Sequence, residues 1–487
     1  MEKFSHPFKH FMKRLPHIKG ANRFLILMGL ILLGFEVKQL LYAVVSDIFH
    51  QDELQHTHVA WNILNGKIIF KDFFEHHGPL TAWTNVLFLK LRGLELASSA
   101  TLFSLRYFNL ALTLLTAFFT FLCVNSLTKK TSLALFSAVL YLSTMTVQFH
   151  GFRSRPEVLV GLFFVLWFYL WSKGYRFFSG IVLGICVGLH PKFLPINIPI
   201  LLGDFFYPAV READNRPLYR RGFVIFGELL VLLAIGVALR VQGCLAEAVD
   251  MLFVHNWGLA ISRVRWNKIP YLLGSIQSWD GPFIIITLIL LFFSVAVILR
   301  KNTWRDSALT PLLIAGISSA LFLLTPLWAY SLLFIIPIFT ILISGILVHF
   351  QLEYFWISTG LLALALTLFF MPFPTVRNDQ RYLLEQVSSL ERALTTTSRS
   401  EPIMYIWPSK CPAFVFNADS SMGWANPVYS FPPDPRAEQN RFADPKVSRI
   451  AIEENYMNGI LRKEKHYLES HFDNHNCLWE RKPNLPD

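Results

Sequence analysis

The chemistry-bearing residues of this chain crowd into one segment. It runs Asp47, His50, Asp52, Glu53, His56 and His58, then Asn65-Gly66-Lys67, then Asp72-Phe73-Phe74-Glu75-His76-His77-Gly78-Pro79-Leu80. Four carboxylates and four histidines fall between residues 52 and 77, directly after a long apolar run. Carboxylates next to a bilayer are costly to desolvate, so their concentration here calls for a chemical reason. If residues 51–64 are helical, Asp52 and His56 share a face, being four apart, and Glu53 projects about 100° away toward a different partner. Two neighbouring acids in different surroundings can divide the labour, one accepting a proton and the other holding a hydroxyl or a metal. Asp52 and Glu53 are therefore the catalytic candidates. Asp72, Glu75, His76 and His77 form a second, substrate-binding half. A divalent cation would accept Glu75 and His76 as ligands, although the spacing matches no established metal signature. The alternative for the histidines is hydrogen bonding to a substrate phosphate. Gly78 and Pro79 shape the turn into the next helix.

The elements that must position these residues are membrane helices. Of 487 residues, 53% are hydrophobic and 15% aromatic, only 16% are charged, and Phe occurs 45 times. Soluble domains carry nearer a quarter charged residues. Windows of about 20 apolar residues mark spans at roughly 24–45, 101–125, 131–149, 157–172, 177–190, 193–209, 222–241, 281–299, 307–325, 327–349 and 354–371. The expected fold class is an all-α polytopic membrane protein of about eleven transmembrane helices. Residues 1–372 form its membrane domain, with a functional loop at 46–100. The first span reads as a retained helix, not a removed signal peptide.

The net charge of +11 is a topology signal and not a nucleic-acid footprint. Basic residues before the first span and at 129–130, 173–176, 211–221 and 300–305 all fall on one side of an alternating chain, the cytoplasmic one. The loop 46–100 and residues 373–487 then lie on the opposite side. The C-terminal region reads as a small α/β appendage, with a strand at Ile403–Trp407 and a helix at Asp379–Leu394. Cys411 and Cys477 there are free to pair in an oxidising compartment.

Basic residues on the non-cytoplasmic side break the charge rule and so carry information. Arg153 and Arg155 lie in the turn between the spans at 131–149 and 157–172, Lys192 lies in His190-Pro191-Lys192, and Arg263 and Arg265 lie in a later loop. A lipid phosphate is a natural partner for such groups. Arg155 and Lys192 are the donor-phosphate candidates. Ordinary headgroup contact, or an Arg155–Glu157 ion pair, is the competing reading. Arg106 is read as snorkelling from within its helix.

Taken together, Asp52-Glu53 after a first membrane helix, Asn65-Gly66, and Asp72 through Leu80 resemble the dolichyl-phosphate-mannose/protein mannosyltransferase-like family of GT-C fold. That family includes the bacterial aminoarabinose transferases. The likeness extends more weakly to about residue 371. It implies an inverting transfer of a sugar from a polyprenyl-phosphate donor to a hydroxyl of a glycan, lipid or protein, on the outer face of a plasma membrane such as the bacterial inner membrane. It implies the base position for Asp52, and substrate or metal contacts for Glu53 and Glu75. Lys192 resembles the lysine of the family's Gly-Leu-x-x-Lys turn. His76-His77 departs from the lysine usual in aminoarabinose transferases, and the extra domains of eukaryotic protein mannosyltransferases are lacking. The runner-up reading is a polytopic glycolipid transporter or flippase, which would favour broken helices and mid-membrane charges. A third is an assembly scaffold working through the C-terminal region.

Overall fold

A computed structural model describes residues 19–47, 49–73, 75–94, 98–206, 222–255, 310–322 and 329–349, together with four short strands between 403 and 481. The expected spans at 281–299 and 354–371, the helix at Asp379–Leu394, and Arg263, Arg265, Cys411 and Cys477 lie outside the described residues.

The described elements between residues 19 and 349 are helices joined by turns. Helix α1 is Lys19–Ser46, α2 Gln51–Leu64, α3 Pro79–Leu91, α4 Ser99–Thr128, α5 Thr131–Ser143, α6 Met145–His150, α7 Pro156–Ser172, α8 Arg176–Leu189, α9 Leu194–Phe206, α10 Gly222–Val241, α11 Leu245–Val249, α12 Thr310–Phe322 and α13 Ile336–His349. Three described helices, Arg23–Ser46 within α1, Ser99–Thr128 and Gly222–Val241, are each long and apolar enough to cross a membrane. Helices α5, α7, α8 and α13 are apolar but shorter. The expected span at 131–149 is two helices broken at Thr144, whose extended backbone interrupts the helical run. The expected span at 327–349 is a 3-10 turn, Ala329–Phe334, leading into α13.

One continuous apolar core runs through α1, α4, α5, α7, α8, α9 and α13. Phe, Leu, Val and Ile supply it, and on the outside of the bundle large apolar residues such as Phe24, Leu27, Phe118, Phe226 and Leu233 remain exposed, as lipid contact requires. Small residues allow the closest helix approach, the usual device where lipid tails are as apolar as the core. A Cβ at Gly180 of α8 would run into the Val224 carbonyl of α10, and one at Gly227 into the Phe177 carbonyl. Some polar groups pair across helices, as Ser137 and Ser344 do at 2.6 Å between α5 and α13.

Outside this domain the strands β1 Ile403–Ile406, β2 Arg449–Ile452, β3 Phe472–His475 and β4 Leu478–Arg481 form a sheet of order β1-β2-β4-β3. β1 and β2 are parallel, while β2–β4 and β3–β4 are antiparallel. The strand expected at 403–407 is therefore present as β1.

Candidate active site

Helix α2 begins where it does because of a capping box. The His50 side chain accepts the Asp52 backbone N–H at 3.3 Å, and the Glu53 carboxylate accepts the His50 backbone N–H at 3.3 Å. These bonds satisfy amides that the first turn leaves open. They also fix the directions in which Asp52 and Glu53 leave the helix.

The two acids then meet different partners. Glu53 points into the protein and is held bidentately by Arg106 of α4, Nε to Oε1 at 2.6 Å and Nη2 to Oε2 at 2.9 Å. Arg106 does not snorkel. It is fully buried, its Nη1 donates to the carbonyls of Val44 and Asp47, and its guanidinium lies 4.3 Å from the Phe49 ring centroid. One arginine thus ties the end of α1, the start of α2 and the body of α4 together.

Asp52 faces the other way. Its Oδ2 lies 2.9 Å from Arg155 Nη1, and its side chain keeps 18% of its surface while that of Glu53 keeps 1%. Arg155 also contacts His50 Nδ1 through Nη2 at 3.0 Å. The competing Arg155–Glu157 pairing is not formed; Arg155 pairs with Asp52, and Glu157 instead meets His190, with 3.3 Å between Oε1 and Nε2. Burial works to raise the Asp52 carboxyl, but Arg155, helped by His50, outweighs it and holds the group below the ordinary carboxylate range. Burial, with Arg155 next, pushes His50 down to about 3, so its ring is neutral. The neighbouring Arg153 is paired with Asp47 and sits 3.3 Å from His150 Nδ1.

The turn 75–78 brings in the second half. Gly78 N–H donates to the Leu189 carbonyl at 3.2 Å, and the Thr81 hydroxyl donates to the same oxygen at 3.2 Å. A Cβ at Gly78 would collide with the Gly188 carbonyl, so glycine permits the start of α3 to touch the end of α8. Pro79 at the first helical position then sets α3 going. This contact places Glu75, His76 and His77 beside His190 and the 3-10 turn Pro191–Phe193 that carries Lys192. Lys192 lies close enough for its charge to oppose protonation of His76 and His77.

Glu75 Oε1 accepts the backbone N–H groups of His76 and His77 at 2.8 Å each and contacts His77 Nδ1 at 2.6 Å. Its Oε2 is buried with no protein partner. Ligand atoms of His56, Glu75 and His77 all lie within 4.8 Å of one another. The metal-capable group thus contains His77 in place of His76, and it recruits His56, one turn after Asp52. Burial pushes His56, His76 and His77 below the ordinary histidine range, well below for the last two, leaving neutral imidazoles suited to ligation. Asp72 does not join them. It is exposed, and its Oδ2 accepts the Ile68 backbone N–H at 2.6 Å, closing a local turn.

Of the residues singled out in the sequence, the structure brings Asp52, Glu75, His77, Arg155 and Lys192 to one place, and beside them lie His190, Glu157 and His50, for which sequence reasoning gave no role. His50 had a local signal, a polar residue three before Glu53 at a helix start. His190 and Glu157 had none, because their partners are distant in sequence.

No family model matches the chain, and no curated sequence relative does. Solved structures do match. An ArnT from Cupriavidus metallidurans bound to undecaprenyl phosphate is 12% identical, with a TM-score of 0.58, over 94% of this chain and 99% of that one. An oligosaccharyltransferase from Archaeoglobus fulgidus, solved with Zn and sulfate, is 12% identical with a TM-score of 0.50, over 81% of this chain. The present chain spans 61% of that protein's length. The chain shares the GT-C fold of these structures, and it is a membrane protein.

Proposed function

We propose that the chain is a membrane glycosyltransferase that moves a sugar from a polyprenyl-phosphate donor to a hydroxyl acceptor. On this reading the site faces the non-cytoplasmic side, as the distribution of basic residues implies. The observation that carries the proposal is the convergence of four separate segments on one site. Residues 50–56, 75–77, 153–157 and 190–192 bring an ionised, partly exposed carboxylate together with Arg155, Lys192 and a histidine–carboxylate cluster. A transporter reading has no comparable use for this convergence at the end of the bundle.

Asp52 is the base. As the acceptor oxygen bonds to the anomeric carbon, the bond from that carbon to the phosphate oxygen breaks and the acceptor proton passes to Asp52. Arg155 keeps Asp52 deprotonated and aimed, and its low basicity suits a proton that becomes acidic only as the new bond forms. The leaving phosphate takes both electrons of the broken bond and needs positive charge, which Lys192 and Arg155 supply. Glu53, neutralised by Arg106, holds the helix that carries Asp52.

The residues present fit a divalent cation. The orphaned buried oxygen of Glu75 and two neutral imidazoles are a donor set of the kind zinc takes. His56, Glu75 and His77 would hold it, and it would add charge against the phosphate. The decisive experiment incubates purified protein with a labelled polyprenyl-phosphate sugar and a hydroxyl acceptor. Labelled product that disappears in Asp52→Asn supports the reading. Donor translocation without bond breakage would replace it with transport.

A further inference from the structure

Two buried groups beside the candidate base serve none of the roles above. Glu157, in the first turn of α7, is 2% exposed, and His190, at the end of α8, is 1% exposed. Glu157 Oε1 lies 3.3 Å from His190 Nε2. No hydrogen bond is aligned between them: both His190 ring nitrogens, and Glu157 Oε2, are buried without a hydrogen-bond partner. These groups are close to the reaction. The His190 ring centroid is 5.6 Å from that of His77, which is 4.6 Å from that of His56. Glu75, Glu157 and Asp52 all lie near enough to His56 for their charges to act on it. Lys192 follows His190 by two residues in the same turn.

From this geometry we infer that Glu157 and His190 form the subsite that holds the sugar ring of the donor, and that the sugar it takes is neutral and rich in hydroxyls. The inference rests on the proposed transfer reaction and names its substrate class. Lys192 would hold the phosphate and Asp52 would serve the acceptor, so the ring bonded to that phosphate must lie among their neighbours. A ring hydroxyl both donates and accepts. Glu157 Oε2 is an acceptor. Burial pushes His190 below the ordinary histidine range, so its neutral ring offers one donor and one acceptor. Two adjacent ring hydroxyls can satisfy all three atoms, taking the place of ordered water and reproducing its hydrogen bonds. A sugar carboxylate would be repelled by the Glu157 carboxylate. A sugar ammonium would add a like charge beside Lys192, whose charge already reaches His190. The metal-capable group of His56, Glu75 and His77 includes neither residue and keeps its own role against the phosphate. A site built to pair a substrate hydroxyl also rejects a sugar that lacks it, because its buried groups are then stranded.

Equilibrium binding to the purified, full-length protein in detergent tests this without turnover. The probes are a bare polyprenyl phosphate and the same lipid carrying mannose, glucose, galactose, a hexuronic acid or an amino hexose. We expect at least one neutral hexose to bind more tightly than the bare lipid phosphate, by about tenfold to hundredfold for two such contacts. Glu157→Ala and His190→Ala should each remove about tenfold of that increment and bind the bare lipid phosphate as the wild type does, which also shows that the variants are folded. Equal losses for bare and sugar-bearing lipid would make the two residues phosphate or packing groups and overturn the subsite. No increment with any neutral hexose would leave ordered water as their only partner and overturn it as well. Tighter binding of the uronic acid or the amino hexose would overturn the neutral class. A protein that shows the increment and its loss, yet only translocates the lipid, would sink the proposed function alone. An active transferase whose variants keep the full increment would sink this inference alone.

Discussion

Asp52 and Glu53 are neighbours in sequence, yet they belong to two regions of opposite character. Around Glu53, donors and acceptors match: Arg106 takes both carboxylate oxygens and spends its remaining nitrogen on the Val44 and Asp47 carbonyls. Around Asp52 they do not. Asp52 keeps an exposed edge, and next to it Glu75 Oε2, His190 Nδ1 and Glu157 Oε2 are buried without protein partners. A buried polar group left unsatisfied costs roughly 1–3 kcal/mol, so the second region gains stability from a water or ligand that completes it. The difference separates scaffold from site at the start of α2: the satisfied Glu53–Arg106 cluster holds the helices, and the unsatisfied groups beside Asp52 are open to a ligand.

The sharpest way to break this division is through Asp52 itself. Asn keeps its size and a hydrogen bond to Arg155 but cannot take a proton. Asp52→Asn should insert and bind donor normally while transfer falls by about 10²–10⁴-fold, the range for losing acid–base catalysis. Near-normal transfer in a radiolabel assay would remove Asp52 from the reaction.

On the scaffold side the effect should appear in stability. Arg106→Gln leaves Glu53 buried and uncompensated, which costs about 3–5 kcal/mol for a broken buried pair. Changing both partners, Glu53→Gln with Arg106→Met, removes the stranded charge and should recover most of that loss. The thermal midpoint in detergent, measured on the single and double variants, decides it. If Glu53→Gln alone retains wild-type stability but abolishes transfer, Glu53 belongs to the chemistry and the division drawn here is misplaced.

The pattern of success in reading the sequence follows the same line. The faces of α2 were legible because a helix puts Asp52 beside His56 and turns Glu53 away by geometry alone. The strand at 403–406 was legible from its run of apolar, β-favouring residues. The partners were not. Nothing local in Arg106 says that it spans from α4 to two carbonyls at the end of α1, and its placement in an apolar helix suggested snorkelling. An Arg155–Glu157 ion pair was the alternative to phosphate binding because the two are close in sequence. Once the chain folds, Pro156 opens α7 between them, Arg155 ends in the N-cap and Glu157 in the first turn, and each takes a distant partner. Gly78 was read as shaping the turn into the next helix, and it is the N-cap of α3; what the sequence did not show is that it also lets α3 touch the end of α8. His190 became part of the site only through that contact.

Lys192 sharpens the comparison from the site side with a smaller effect. It is only partly buried, so Lys192→Ala should leave folding intact and weaken donor binding. A charge-assisted contact worth roughly 1.5–3 kcal/mol corresponds to about a tenfold to hundredfold rise in the dissociation constant for a polyprenyl-phosphate donor. Unchanged donor affinity would return Lys192 to contact with bulk headgroups.

The smallest effect comes from His50, which stands on the boundary between the two regions: it caps α2 on one side and touches Arg155 on the other. Its folded pKa is pushed down to about 3 from an ordinary value near 6.5. Between those limits the unfolded chain binds a proton at this position and the folded chain does not. Stability contributed by the neutral ring is therefore fully present above about pH 6.5 and is lost as the pH falls toward 3, with a limiting slope of about 1.4 kcal/mol per pH unit for one proton. Asn at position 50 is a good helix cap and offers an oxygen to both the Asp52 amide and Arg155, but it does not titrate. His50→Asn should therefore match the wild type at neutral pH and lose stability more slowly on acidification, by up to that one-proton slope. The other lowered histidines, His56, His76, His77 and His150, remain in the variant and set the background against which the single proton is measured. Thermal midpoints at a series of pH values between 4 and 7 in detergent give the comparison. Parallel curves for the two proteins would mean that His50 is protonated in the folded state. Its Nδ1 would then be unable to accept from both Asp52 and Arg155, and the Arg155–Asp52 geometry would need another support.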